Sequence, residues 1–394
     1  MTIIHKIRKL CSFFTHQILF NKIANLKCKD SDRILVIKLD AIGDFIIWLD
    51  SAKEYKKLYQ TQEVNLLCSD ACKELACISG YFDKVYSLDP EKFMFNQEYR
   101  KLKQEELITL KCSVLIQTAF SRTQLMDIIA ARIPANKKIG FVADESKSNI
   151  SRKLETPKRK KMLDGIYDQL IPASKKQLME LNRNKEFLLG LGDREFRSSI
   201  PKLPRIELVY TPKEDYFLVF PGASSNLKMW DIKNYSIVID YVLEKRDWTC
   251  LICGGQKEKN IYLKLEKLVK HNHKLKDYTG KTSLVELIEY VRNAKFVLSN
   301  DTSGIHFAAA TNTPGICPFG EYNYGRFLPY ISDNGVSKVR VVSANMKCRN
   351  CSQRKMNLAC YFNIFRNGRY LCLDKIYSKD VIKEIESVFI DENM

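Results

Sequence analysis

The stretch FVLSNDTSGIHFAAA, residues 296–310, decides how the rest of the chain reads. Phe296 to Ser299 is an apolar run, Asp301 to Gly304 are small and mostly polar, and an Ala-rich segment follows. The spacing predicts strand, tight loop and helix. In an open α/β sheet such a loop presents the first amides of the new helix at the carboxyl end of the strand, with the positive end of the helix dipole behind them. Thr302 and Ser303 add hydroxyl donors, and Gly304 lets the backbone approach a ligand closely. An anionic ligand, most simply a nucleoside diphosphate, suits that chemistry. An ordinary βα turn with no ligand fits the same residues, so the companions of the stretch have to decide.

The chain has 394 residues, 45% of them hydrophobic and 28% charged, a globular composition long enough for two domains of ordinary size. Its formal net charge of +18 favours polyanionic partners: an anionic membrane face, a phosphorylated substrate or nucleic acid. The lysines are spread along the chain and no compact basic-aromatic module of the RNA-binding kind stands out, so nucleic acid is not expected. Thirteen cysteines without a secretory signal point to a reducing compartment, with free thiols or a metal site. Residues 1–30 read as a basic amphipathic helix. His16 and Gln17 interrupt its apolar positions, so it is too broken to be a signal sequence or a span. It either rests on anionic lipid or docks on the protein. The expected location is the cytoplasm, peripheral on the inner face of the cytoplasmic membrane.

Both halves of the chain alternate strand and helix patterns, which implies α/β domains with parallel, helix-covered sheets. In residues 31–205 the strands are expected at Arg33–Leu39, Val64–Cys68, Lys84–Leu88, Ser113–Gln117 and Lys138–Val142. After the first of these, Asp40–Asp44 form a turn, and Phe45, Trp48, Leu49, Ala52, Tyr55 and Tyr59 share one face of a helix. Asp144 to Lys161 is polar and basic and reads as a loop. The two prolines of IPKLPRIEL mark a linker, with the boundary near 205. In residues 206–376 the pattern restarts with strands at Tyr216–Phe220, Trp248–Cys253, Leu275–Tyr278, Phe296–Ser299 and Gly315–Phe319. A closing helix within 377–394 turns Val381, Ile382, Ile385, Val388 and Phe389 inward and is expected to strap the two domains together.

Four loops leave strand ends: Asp40–Asp44, Pro221–Trp230, Cys253–Glu258 and Asp301–His306. They hold a carboxylate at a helix start, small hydroxyl residues beside a lysine, a Gly-Gly with a nearby glutamate, and the anion loop. A transferase of nucleotide sugars needs this inventory: a positive cradle for the diphosphate, a carboxylate for the ribose and a base for the acceptor hydroxyl. The segments ILVIKLDAIGDF (34–45), FPGASSNLKMW (220–230), CGGQKEK (253–259) and residues 279–320, together with the closing cysteines, resemble glycosyltransferase family 9, the ADP-heptose:lipopolysaccharide heptosyltransferases.

The resemblance implies a GT-B fold, with two Rossmann-like domains whose parallel sheets face a central cleft. Residues 31–205 would then take the acceptor and residues 206–376 the nucleotide sugar. It further implies an inverting, metal-independent transfer of a sugar, heptose from ADP-heptose, onto a phosphorylated lipopolysaccharide-type glycolipid. Asp44 matches the general base, and an N-terminal helix cap is its structural alternative. Lys228 matches the lysine on the donor phosphates, with Ser224 and Ser225 as added donors. Glu258 matches a ribose contact or is a capping charge, Asp301, Thr302, Ser303 and Gly304 match the diphosphate-sugar loop, and His306 is a ligand contact or a packing histidine. Ser303 stands where many relatives have glycine, and Asp40 and Ala41 where many have serine, which leaves the sugar open. Cys348, Cys351, Cys360 and Cys372 could close a tetrahedral structural zinc or iron site, or stand as four thiols. The competing readings are a related transferase with another nucleotide sugar or a protein acceptor, and a non-catalytic nucleotide-sugar or nucleic-acid binding protein of the same fold.

Overall fold

The computed structural model describes residues 25–28, 31–144, 155–207, 212–351 and 356–391. The expected N-terminal helix and its membrane contact lie outside the described residues, except for 25–28, which are irregular. The chain divides into two compact units: Met1–Phe45, Ser51–Lys176 and Arg183–Phe196 form one, and Ile46–Asp50, Gln177–Asn182 and Arg197–Met394 the other.

The first unit carries a six-stranded sheet in the order β3-β2-β1-β4-β5-β6. Its strands are β1 (Ile34–Lys38), β2 (Val64–Ser69), β3 (Val85–Leu88), β4 (Cys112–Gln117), β5 (Ala135–Phe141) and β6 (Gln169–Ile171). Every pairing is parallel. β1 is central and wholly buried, as expected for a β-branched run covered on both faces. The second unit repeats the plan in a six-stranded parallel sheet ordered β12-β11-β10-β7-β8-β9. Its strands are β7 (Tyr216–Phe220), β8 (Thr249–Gly254), β9 (Leu275–Thr279), β10 (Val297–Ser299), β11 (Gly315–Pro318) and β12 (Val339–Val342). In each sheet the direction of winding reverses beside the first strand, between β1 and β4 and between β7 and β10. Ligands of doubly wound sheets collect outside the strand ends at such reversals.

The structure departs from the sequence reading in four places. The helix after β1, α1 (Ile42–Ala52), is not amphipathic: every residue from Phe45 to Ala52 is buried. It breaks at Lys53, and Glu54–Leu58 form a separate short helix. The basic stretch expected as loop ends early, because Thr156 caps and Pro157 opens a helix over Pro157–Asp164, the usual place for a proline. Neither β6 nor β12 was expected, their three and four residues being too few to show a period. The closing helix, Ser378–Asp391, packs Val381, Ile385, Val388 and Phe389 into the core of the second unit beside Val242, Trp248 and Phe296.

The short helix Pro157–Asp164 is pinned by a buried ionic group. Arg122, wholly buried, donates to the Phe141 carbonyl at 2.7 Å, pairs with Asp127 at 2.7 Å and with Asp164, and lies 4.5 Å over the ring of Tyr167. Tyr167 in turn donates to Asp127 at 2.7 Å. Replacing Arg122 by Met leaves Asp127 charged in the interior. R122M is expected to lower the unfolding free energy by about 3–5 kcal/mol, measured by urea denaturation. A loss below about 1 kcal/mol would show the pair to be dispensable.

Candidate functional site

In the first unit, β1 ends at Lys38, whose ammonium is buried and sits 2.9 Å from Asp40 Oδ2. The carbonyl of Asp40 accepts the Ser69 hydroxyl at 3.1 Å and the Cys72 thiol at 3.7 Å. Three side-chain contacts, from β1, from the end of β2 and from the turn after it, therefore fix the turn. Ala41 is the cap residue of α1 and offers no capping side chain, and Asp44 is the acid of the first turn, half-buried. A carboxylate there is favoured in its charged form by the helix dipole. Asp44 is not the N-cap residue itself but stands in the first turn behind it. Burial pushes the Cys72 thiol up to about 12, and the charges of Asp40 and Asp44 add to the shift.

In the second unit the loops after β7 and β10 meet at the reversal point between those strands. Asn300, fully buried, ties them: its Nδ2 donates to the carbonyls of Pro221 and Gly222 at 2.8 and 3.2 Å, and its Oδ1 accepts from the Trp230 amide at 3.0 Å. Next to it, Asp301 is 6% exposed at the side chain, with Oδ1 3.9 Å from His306 Nε2 and Oδ2 accepting the Tyr322 hydroxyl at 3.2 Å. Burial pushes the Asp301 carboxyl up, and the Lys228 ammonium and Tyr322 hydroxyl act against it. Lys228 Nζ stands 5.3 Å over the Tyr322 ring. The helix that follows, Ser303–Thr311, starts from Thr302, whose side chain does not cap it. The Thr302 hydroxyl is turned to Ser299 Oγ at 3.2 Å. No side chain of the cap residue covers the first amides, the arrangement an anion requires.

The remaining expected residues sort by what they touch. Ser225 accepts from the Leu227 amide at 3.3 Å, which shapes the turn that carries Lys228, and Ser224 is exposed. Glu258 is the cap residue of the helix Lys259–Leu268, yet its side chain makes no capping bond. It lies instead across three glycines. A Cβ on Gly222 would stand 2.5 Å from Glu258 Cγ, one on Gly254 3.0 Å from Cβ and Cγ, and one on Gly255 3.3 Å from Oε2. The carboxylate thus reaches across from the β8 loop to the β7 loop. Gly304 also serves packing, since a Cβ there would fall 2.5 Å from the Phe220 ring. His306 is 4% exposed, meets the Tyr330 hydroxyl through Nδ1 at 2.8 Å, and is held neutral by burial, its pKa lowered to about 3. Sequence reasoning passed over Asn300, Tyr322 and Tyr330. The polar Asn300 closing an apolar run was the signal available.

All twelve cysteines among the described residues are free. Burial first and neighbouring thiols second push Cys351 up to about 11 and Cys372 up to about 12: Cys360 and Cys348 act on Cys351, and Cys360 and Cys351 on Cys372. The cysteines of the cluster therefore share one neighbourhood. Cys360 Sγ is occupied by the Leu371 amide at 3.4 Å, and among the described residues no three His, Cys, Asp or Glu side chains converge as metal ligands. No described helix is long and apolar enough to cross a membrane.

Known proteins share the family pattern and the fold. Residues 124–361, more than half of the chain, match the family model of glycosyltransferase family 9 (heptosyltransferase). No curated protein sequence matches it. Among solved structures, the chain is similar to the glycosyl transferase family 9 protein of Veillonella parvula DSM 2008, at 14% identity over 93% of this chain and 99% of that one, TM-score 0.70. It is similar to E. coli ADP-heptose lps heptosyltransferase II, at 16% identity over 92% of this chain and 100% of that one, TM-score 0.64. It is also similar to the iron-containing dodecameric glycosyltransferase TibC from enterotoxigenic E. coli H10407, at 15% identity over 93% of this chain and 78% of that one, TM-score 0.52. At those identities the structural likeness speaks for the fold alone, two parallel sheets with flanking helices of the GT-B type. With the family match, it places the chain in glycosyltransferase family 9.

Proposed function

We propose that the chain transfers a heptose from ADP-heptose to a hydroxyl of a phosphorylated, lipopolysaccharide-type glycolipid, with inversion at the anomeric carbon and no metal in the step. The observation that supports this best is the group at the reversal point of the second sheet: an uncapped helix start, the Lys228 ammonium and the buried Asp301 carboxyl side by side. The amides of residues 303 and 304 and Lys228 would hold the diphosphate, with the Ser224, Ser225 and Ser303 hydroxyls as further donors. Thr302 flanks them. Asp301 only accepts when ionised, so it suits sugar hydroxyls better than phosphate. Glu258 would take the ribose. Asp44 would remove the proton as the acceptor oxygen attacks the anomeric carbon, and ADP departs with the bonding electrons. The charge growing on its phosphate would meet Lys228 and the helix dipole. The net charge of +18 fits an enzyme at work on the inner, anionic face of the cytoplasmic membrane.

E. coli heptosyltransferase II carries ADP-heptose in its name, so that donor leads a panel of nucleotide sugars scored for turnover and for thermal stabilisation. Stabilisation by a uridine or guanosine sugar alone would replace the donor named above. We further propose that Cys348, Cys351, Cys360 and Cys372 close on a structural zinc or iron ion; TibC is described as iron-containing. A bound dication deprotonates thiols that burial otherwise keeps neutral. Leu371 would then lose its sulfur acceptor. Elemental analysis of the purified protein is expected to find about one metal ion per chain; protein free of metal, and of unchanged melting temperature after chelation, would leave the four as plain thiols.

Asp44→Asn is expected to lower kcat by about 10²–10⁴-fold while ADP binding stays within about twofold. Lys228→Ala is expected to weaken ADP binding by roughly tenfold. Unchanged turnover in D44N would remove Asp44 from the chemistry, and a wild type that binds donor but turns over none of the panel would favour a binding protein. His306 supplies a pH test. The unfolded chain protonates it near 6.5 and the folded one only near 3, so its contribution to stability is complete above pH 6.5 and is lost as pH falls toward 3. The loss is about 1.4 kcal/mol per pH unit. Between pH 7.5 and 5 the wild type should lose clearly more stability than His306→Gln in urea unfolding; parallel curves would contradict the buried neutral imidazole.

A further inference from the structure

The helix Leu358–Asn367 is built inside out. Its inner face carries Cys360, buried, and Asn363, whose amide donates to the Arg369 carbonyl at 3.0 Å and to Asp374 at 2.7 Å. Asn367 donates to the same carboxylate at 2.7 Å. Leu358, Tyr361, Phe362 and Phe365, spaced i, i+3, i+4, i+7 along one stripe, stand 72, 57, 68 and 94% exposed. A helix that orders its polar side against the protein and shows a leucine and three aromatics to solvent has its apolar face built for another medium.

Charge indicates which medium. From residue 345 to 379 the chain carries eight lysines and arginines and a single acid, Asp374, and that acid already holds Arg369 and two asparagines. Arg366 lies on the helix itself. Lys347 and Lys375 line one hollow with Asn357, the residue that caps its start. Cations thus flank both ends of the aromatic stripe, with no free acid between. Aromatic and aliphatic side chains framed by lysine and arginine match the boundary of a bilayer, where rings enter among the headgroups and ammonium and guanidinium groups meet phosphates. A protein partner would need a dense acidic rim around an apolar socket; a bilayer with anionic lipid supplies both layers without any specific fit.

We propose that this face seats the protein on an anionic lipid bilayer, with Phe362 and Phe365 inserted at the headgroup level. The proposal rests on exposure and charge, so it stands whichever sugar the enzyme transfers. Full-length protein is mixed with vesicles of phosphatidylcholine alone or of phosphatidylcholine with phosphatidylglycerol and then floated. The wild type is expected to float with the anionic vesicles only, less so as salt is raised. Phe362→Ser/Phe365→Ser should bind them about tenfold more weakly or less, with its urea unfolding curve unchanged, since both side chains are exposed. In Phe365→Trp the emission of the introduced indole should be red in buffer and move to the blue on adding anionic vesicles alone. Undiminished flotation of the double variant overturns the proposal. So does an indole already blue-shifted without lipid, which would mean that residues 1–24 or a second copy cover the face. Self-association of the wild type that the double variant loses would likewise assign the face to contact between copies.

Discussion

One asparagine ties together the loops at the strand ends of the second unit. Asn300 follows β10, and its single amide group bonds two carbonyls of the loop after β7 and the amide of Trp230 at the far end of that loop. No solvent reaches it, so each of these bonds is made in a medium where a lost partner is not replaced by water. The loop from Pro221 to Trp230 is thereby fixed at both ends while its middle, with Lys228, stays accessible. Asp301 is the next residue in the chain. The distance between a cation and a buried acid that lie seventy-odd residues apart in sequence is therefore set by one side chain.

That arrangement explains how uncharged and charged groups can share so small a space. In water His306 would take up a proton below about pH 6.5. Here it is neutral and bridges toward Asp301 and Tyr330. Lys228 is then the cation that acts on Asp301, and its charge is offered both to that acid and to any incoming phosphate. The first sheet treats its own strand end differently. Lys38 is satisfied internally by Asp40, so the turn before Asp44 is held by a neutralised pair and by two side chains that grip a carbonyl.

Much of this was legible in the sequence because the parallel strands are short apolar runs bounded by turn residues. Tyr216–Phe220 could be read to the residue, and the loop after it falls where the sequence put it. What escaped depends on contacts between distant residues. Gly304 packs against Phe220, a contact that no spacing foretells. Glu258 looks like a helix cap until its side chain is traced over Gly222. Tyr322 lies in a tract whose spacing gives no reason to set it beside Asp301. The helix Pro157–Asp164 was hidden by its own lysines, because a polar helix held by caps and one ionic group has no hydrophobic period to detect.

The glutamate on its glycine bed has an evolutionary corollary. Gly222, Gly254 and Gly255 belong to two different loops, yet each would press on Glu258 if it gained even a methyl group. None of the four can drift alone: a lone alanine displaces the carboxylate, and a shorter acid opens a hole over three bare backbones. Natural variation in this corner should therefore come as coordinated sets, so that lineages differing at one of these sites differ at its neighbours too.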